Sequence, residues 1–221
     1  KTRTYLFAFI DDCSRLVPYA EFVTTEKFGA LKNVFSEALL KRGIPRMLYV
    51  DNGKIYRSDQ LQLACASLGI TLTHTKPYDP ASKGKIERFF RTVRERFFVQ
   101  LTEETLSSLD SLNAFFLKWL EADYNRKVHS AIDMSPLDKF MSQSSEVKTV
   151  NDPGLLEEIF LKKEYRRVKH DGTISVKNRL FEVSATLIGQ RIEVRFNPDI
   201  PGEVFVYKEG KRLEKAKPVN F

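Results

Sequence analysis

The sequence predicts an α/β unit followed by a small all-β barrel. Three observations carry this. β-Prone runs at 4–10, 46–50 and 70–74 alternate with stretches of helical apolar spacing. From about residue 165 the pattern changes to short alternating runs, broken by Asp171-Gly172 and Lys177-Asn178. Between the two lie Ser142-Gln143-Ser144-Ser145 and Asn151-Asp152-Pro153-Gly154, stretches of linker character. The expected organisation is a first domain over 1–140, a linker over 141–163 and a barrel over 164–221.

In chain order, Thr4 to Ile10 forms a first strand, closed by Asp11-Asp12-Cys13-Ser14-Arg15. Leu16 to Val23 resumes extended structure, with Pro18 marking a bulge or an edge, and the two runs fit neighbouring antiparallel strands. Asp11 and Asp12 are expected to bond the turn, with Arg15 paired to one of them. Thr24-Thr25-Glu26 offers helix-start chemistry. Phe28, Leu31, Val34, Phe35, Ala38 and Leu39 give that helix its apolar face, and Gly43 stops it.

The apolar run Met47-Leu48-Tyr49-Val50 reads as a buried strand, and Asn52-Gly53 turns the chain after it. Asp51 therefore stands at a strand's carboxyl end, where α/β sheets place their ligands. A short helix over 59–68 and a strand over 70–74 follow, with His74 a strand-end structural residue. Residues 75–84, with two prolines, read as a loop whose closure would accompany substrate binding. It feeds a helix over 84–100, in which Phe90, Val93 and Phe97 make one face. Glu87, Arg91 and Arg94 recur at i, i+4 and i+7 on another. A carboxylate sharing a face with two arginines suits a metal with phosphates nearby. Lys83 and Lys85 stand next to that face, while Arg88 and Arg96 point elsewhere. A further helix over 104–123 carries Leu109, Leu112, Phe116 and Leu120. The barrel's strands are expected at 173–176, 179–183, 190–196 and 204–207.

Thirty-five residues separate Asp51 from Glu87. This spacing, Asp51-Asn52-Gly53, and the run from His74 to Thr92 around Lys83-Gly84-Lys85-Ile86-Glu87-Arg88-Phe89 resemble bacterial insertion-sequence transposases and retroviral-type integrases. The ending Tyr124-Asn125, His129-Ser130 and Ser135-Pro136-Leu137 is similar to the same core, so the resemblance spans about 4–140. Asn125 and His129 are read as structural or close to DNA. The barrel looks like that of Mu-type transposases.

The resemblance implies a ribonuclease-H-like mixed sheet flanked by helices. It implies an Asp, Asp, Glu triad in which Asp51 is the second acid and Glu87 the third, both catalytic and metal-holding. It also implies two Mg2+ or Mn2+ ions, DNA cleavage and strand transfer. Lys83, Lys85, Arg91 and Arg94 would hold double-stranded DNA, both element ends and target. A homo-oligomer in the bacterial cytoplasm, associated with the nucleoid, is the expected setting. The family's first Asp precedes the strand that here begins at Thr4. The expectation is therefore a truncated, catalytically impaired chain, with strands beside the missing one left unpaired or another segment forced into the gap. A structure-selective nuclease on the same fold and a non-catalytic DNA-binding or assembly remnant are the competing readings.

Composition agrees without deciding. The net charge of +7 favours an anionic partner. Cys13 and Cys65 have no pairing pattern and fit a reducing compartment. His74, His129 and His170 lack zinc-finger spacing to them. No stretch approaches the roughly 18 apolar residues of a membrane span.

Overall fold

Two short strand pairs and a six-stranded sheet underlie the computed structural model, which describes residues 3–75, 84–198, 200 and 202–219. By internal contacts the chain divides into two units: 1–58 with 68–153, and 59–67 with 154–221.

In the first unit, β1 (Tyr5–Ala8) and β2 (Ala20–Val23) pair antiparallel, Leu6 opposite Phe22. β3 (Met47–Val50) and β4 (Thr71–His74) pair in parallel, Val50 opposite His74. Among the described residues no ladder joins the two pairs. In the turn after β1, Asp11 accepts from the Ser14 amide at 2.7 Å and its hydroxyl at 2.6 Å. Arg15 does not take the expected acidic partner; Lys85 pairs with Asp12 instead. Helix α1 (Phe28–Arg42) begins later than Thr24-Thr25-Glu26 indicated, capped at Lys27 without a side-chain bond. It buries Leu31, Val34, Phe35, Ala38 and Leu39, as its spacing required.

The aromatic core of this unit is built on α3 (Gly84–Thr92) and α4 (Leu109–Trp119), each followed by a π-helical turn, Val93–Phe97 and Leu120–Tyr124. The extra residue per π turn changes which side chains face inward. Phe89, Val93 and Phe97 are buried, whereas Phe90, expected on that face, is only half-buried. Phe97 meets Phe116 edge-on at 4.9 Å and lies 5.4 Å from Trp119. Ser108 caps α4 by accepting from the Ser111 amide.

Two asparagines seal the strand entering and leaving Ala20. Asn113 accepts from Phe22 N–H (2.8 Å) and donates to Phe22 O (2.9 Å). Asn125 accepts from Val17 N–H and donates to Val17 O, both at 3.1 Å. Each amide thus presents the donor–acceptor pair that a neighbouring strand would offer, which satisfies backbone groups that burial would otherwise penalise.

Within the expected linker, Ile44 N–H donates to Lys148 O (2.7 Å) and Lys148 Nζ to Leu68 O (3.1 Å), so 146–148 is strapped to the first unit. The second unit contains α2 (Asp59–Leu68) as far as Ser67, and α6 (Pro153–Ile159) from Gly154. Between α2 and α6, α5 (Pro136–Met141) starts on the Ser135 cap.

The six-stranded sheet runs β5-β8-β9-β10-β7-β6. Its strands are β5 (Lys162–Arg167), β6 (Thr173–Val176), β7 (Arg179–Glu182), β8 (Arg191–Phe196), β9 (Val204–Lys208) and β10 (Lys211–Pro218). It curls until Arg166 Nε on β5 reaches Ser175 O on β6 at 2.8 Å. Ile174, Val176, Phe181, Ile192, Val194, Phe196, Val204 and Val206 fill the interior. Lys177-Asn178 joins β6 to β7 with both φ angles positive, the two-residue hairpin turn that matches strand twist. Glu209-Gly210 does the same between β9 and β10; with φ at 78°, position 210 suits glycine.

Burial works to raise the Glu164 carboxyl pKa, but a Lys162 hydrogen bond (2.6 Å) and the Arg166 charge outweigh it and hold the group below its usual value. A depressed folded pKa means stability present above the unfolded value, about 4.3, and lost as pH falls through the folded one. Urea midpoints are therefore expected to fall below about pH 4. Glu164→Gln should flatten that fall; an unchanged slope would assign it wholly to other carboxyls such as Asp171 and Glu203, which are also held low.

Candidate active site

Every residue of Asp51-Asn52-Gly53 has a local task. β3 alternates exposed and buried positions, with Leu48 and Val50 inward, and Thr75 N–H extends the β3–β4 pairing by donating to Val50 O at 2.8 Å. Asp51 follows, half-buried, and its Oδ1 accepts from Gly53 N–H at 2.8 Å. Asn52 ties the turn to the end of β4, donating to Thr75 O (2.8 Å) and accepting from Arg57 (2.7 Å). A Cβ at position 53 would stand 2.9 Å from Asp51 Oδ1 and 3.3 Å from the Tyr56 ring, so a larger residue there would have to displace the Asp51 carboxylate. Burial, then the charges of Asp51 and Glu26, push the Tyr56 hydroxyl pKa up to about 12. His74 Nε2 donates to Tyr56 O at 3.1 Å, a structural bond that closes the turn from β4.

Glu87 lies in the first turn of α3, exposed. Arg91 is exposed and 3.8 Å from Glu95. Arg94 is exposed inside the π turn, so its bearing relative to Glu87 differs from the ideal i+7. The opposite side of this helix carries Phe89 and Val93 into the core, which fixes how Glu87 is presented. Lys85 is committed to Asp12, and Lys83 lies outside the described residues. Arg96, expected to point elsewhere, pairs with Asp123. Among the described residues no group of three or more His, Cys, Asp and Glu side chains is placed to hold a metal ion. Asp51 and Glu87 offer hard oxygen donors, the type Mg2+ prefers; such an ion keeps waters and takes only one or two carboxylates.

Comparison with known proteins follows this geometry. The family model for the TnsB C-terminal domain matches 25–103, the stretch that holds both carboxylates. The model for the Mu transposase C-terminal domain matches 157–214, the six-stranded sheet. The transposase for transposon Tn552 of Staphylococcus aureus is 29% identical over 93% of this chain and 47% of its own length. Both matching models thus describe transposase domains. A putative transposase for insertion sequence element IS5376 of Geobacillus stearothermophilus is 24% identical over the whole chain and 56% of its own length. The chain thus spans about half the length of the curated relatives it matches. Its fold is similar to the HTLV-2 integrase catalytic core domain, solved in complex with magnesium, with TM-score 0.52 and 20% identity, over 63% of this chain and 86% of that one. No helix among the described residues is long and apolar enough to cross a membrane.

Three features of the site carried no sequence signal. The π turns arise from packing. Tyr56 beside Asp51 reads as an ordinary aromatic. Arg88, set aside on helical phase, turns out to line a cavity with residues from two distant stretches.

Proposed function

We propose that the chain is the core and C-terminal barrel of a DNA-integrating transposase, with a ribonuclease-H-like core over 1–140, a linker over 141–163 and the barrel over 164–221. The carrying observation is the placement of Asp51 at the end of β3, locked by Gly53, together with an exposed Glu87 on α3 beside Arg91 and Arg94. Asp51 and Glu87 are the residues that would hold two Mg2+ or Mn2+ ions. Such ions, when bound, activate a water or a DNA 3′-hydroxyl and stabilise the leaving oxygen. The chain's own contribution is positional. The Asp51 turn is fixed by its hydrogen bonds, so the carboxylate is oriented before any ligand arrives. Arg91 and Arg94 clamp the DNA backbone beside Glu87, with Lys83 and Lys85 contributing charge at the start of the helix. Two carboxylates ligate less than a full two-ion site requires, so these residues alone bind metal weakly and catalyse poorly. The reading places the protein in the bacterial cytoplasm, acting on element ends and target DNA as a homo-oligomer.

Calorimetric titration with Mg2+ and Mn2+ tests this. Asp51→Asn and Glu87→Gln are each expected to weaken binding at least about tenfold. Indifference to both substitutions would remove the two residues from the metal site. A chain that binds duplex DNA but neither ion is the alternative, a non-catalytic DNA-binding or assembly protein.

A further inference from the structure

A cavity of about 290 Å3 opens on the side of α3 turned away from Glu87, lined by Ile10, Arg15, Lys85, Arg88, Tyr124 and His129 among others. At roughly 100° per residue, Lys85, Arg88 and Thr92 share one stripe of α3, while Glu87 and Arg91 share another. The cavity is therefore separate from the proposed metal face.

Its lining is cationic in a way that folding alone does not explain. Arg15 projects from the turn after β1, at a φ of 65°, and Tyr124 Oη donates to its backbone carbonyl at 3.3 Å. Its Nη1 is buried and has no hydrogen-bond partner among the described residues. A guanidinium cannot shed its proton, so a buried N–H of it without a partner is costly and calls for an acceptor. Arg88 adds a second guanidinium and Lys85 an ammonium, of which Asp12 neutralises one charge. His129 Nδ1 accepts from Ala131 N–H at 3.2 Å, so the neutral ring carries its proton on Nε2, free to donate. Burial first, then the charges of Arg15 and Arg88, lower the His129 pKa, as expected for a ring that lines the same cavity as both guanidinia.

We propose that this cavity binds a phosphate group, held by the Arg15 and Arg88 guanidinia and by His129 Nε2–H. Guanidinium forks match phosphate oxygens in pairs, and a neutral donor adds direction without further charge. The source is a DNA backbone phosphodiester, in which case the site rests on the DNA reading above, or a free phosphate.

Two arms distinguish the sources. In the first, inorganic phosphate is titrated into metal-free protein while the His129 ring resonances are followed by NMR. The wild type and Arg94→Gln are expected to show a saturable His129 shift. Arg88→Gln and Arg15→Gln should weaken it about tenfold or more, with His74, bonded to Tyr56 O in the same unit, as the internal reference for folded protein. A His129 ring that does not respond in the wild type, or that responds undiminished in both variants, overturns the proposal. The second arm measures duplex DNA binding against salt in chelator. Arg88→Gln is expected to lower the log–log salt slope by about 0.9, one phosphate contact. An unchanged slope with a positive first arm assigns the cavity to free phosphate. Failure of the wild type to bind DNA removes the DNA reading and leaves the cavity to be judged by the first arm alone.

Discussion

Replacing Asn125 with alanine is expected to destabilise the first unit by about 2–6 kcal/mol, read as a shift in urea midpoint at unchanged slope. The residue is fully buried, and its amide is the partner of both Val17 N–H and Val17 O. Truncation leaves two buried backbone groups without partners, each costing about 1–3 kcal/mol. The loss is thus of polar satisfaction more than of packing, and a leucine should serve no better than an alanine. Asn125→Asp separates the two bonds. Its carboxylate accepts from Val17 N–H but repels Val17 O, so the folded pKa of the new group is raised above its unfolded value. Stability of this variant is then greatest below the unfolded carboxylate pKa and falls as pH rises through the folded one. A loss below about 1 kcal/mol for Asn125→Ala would show that water replaces the amide and that the strand needs no seal.

Phe97→Ala is expected to cost about 3–5 kcal/mol, the range for emptying a buried aromatic site. Phe97 has no exposed surface and its ring contacts Phe115, Phe116 and Trp119 between 4.9 and 5.5 Å. Such aromatic pairs add about 0.5–1.5 kcal/mol beyond their area, so the surrounding cluster cannot recover the loss by collapsing. The neighbouring Phe98 is 44% exposed, and Phe98→Ala should cost less than about 1 kcal/mol. The contrast depends on the π turn, which fixes which of two adjacent rings enters the core. Equal costs for the two substitutions would mean that this turn relaxes to ordinary helix in solution.

The parts of the site carried by contiguous residues were legible in the sequence. Asp51-Asn52-Gly53 announced a strand end and a tight turn, and the structure gives each of its side chains the bond that such a turn needs. The β6–β7 hairpin was legible because Lys177-Asn178 interrupts two alternating runs. β10 was not. Lys211 to Pro218 holds five charged side chains, and Ala216 alone is buried, so it reads as a solvated tail although it lies between β9 and β7. Asn113 was equally opaque, because a polar residue on a helix normally marks the outward face; its partner Phe22 lies 91 residues away. Asn125 was read as structural or close to DNA, but not its partner Val17, 108 residues away. Arg15, Arg88 and His129 come together from three stretches, and no local period connects them.

The membership of α2 has a consequence for dissecting the molecule. Asp59–Ser67 sits in sequence within the first unit but keeps its contacts with 154–221, where Gln60 donates to Phe160 O at 3.2 Å. No single cut can therefore release two intact pieces. A fragment ending at residue 153 would part Leu61, Ala64 and Cys65, all buried in the folded chain, from the rest of their unit, and newly exposed apolar surface there would favour aggregation. The complementary piece would lose a helix that only the other half of the gene encodes. Separate expression of the two halves calls for grafting Asp59–Ser67 onto the barrel through a linker, and selection on either half is felt by both.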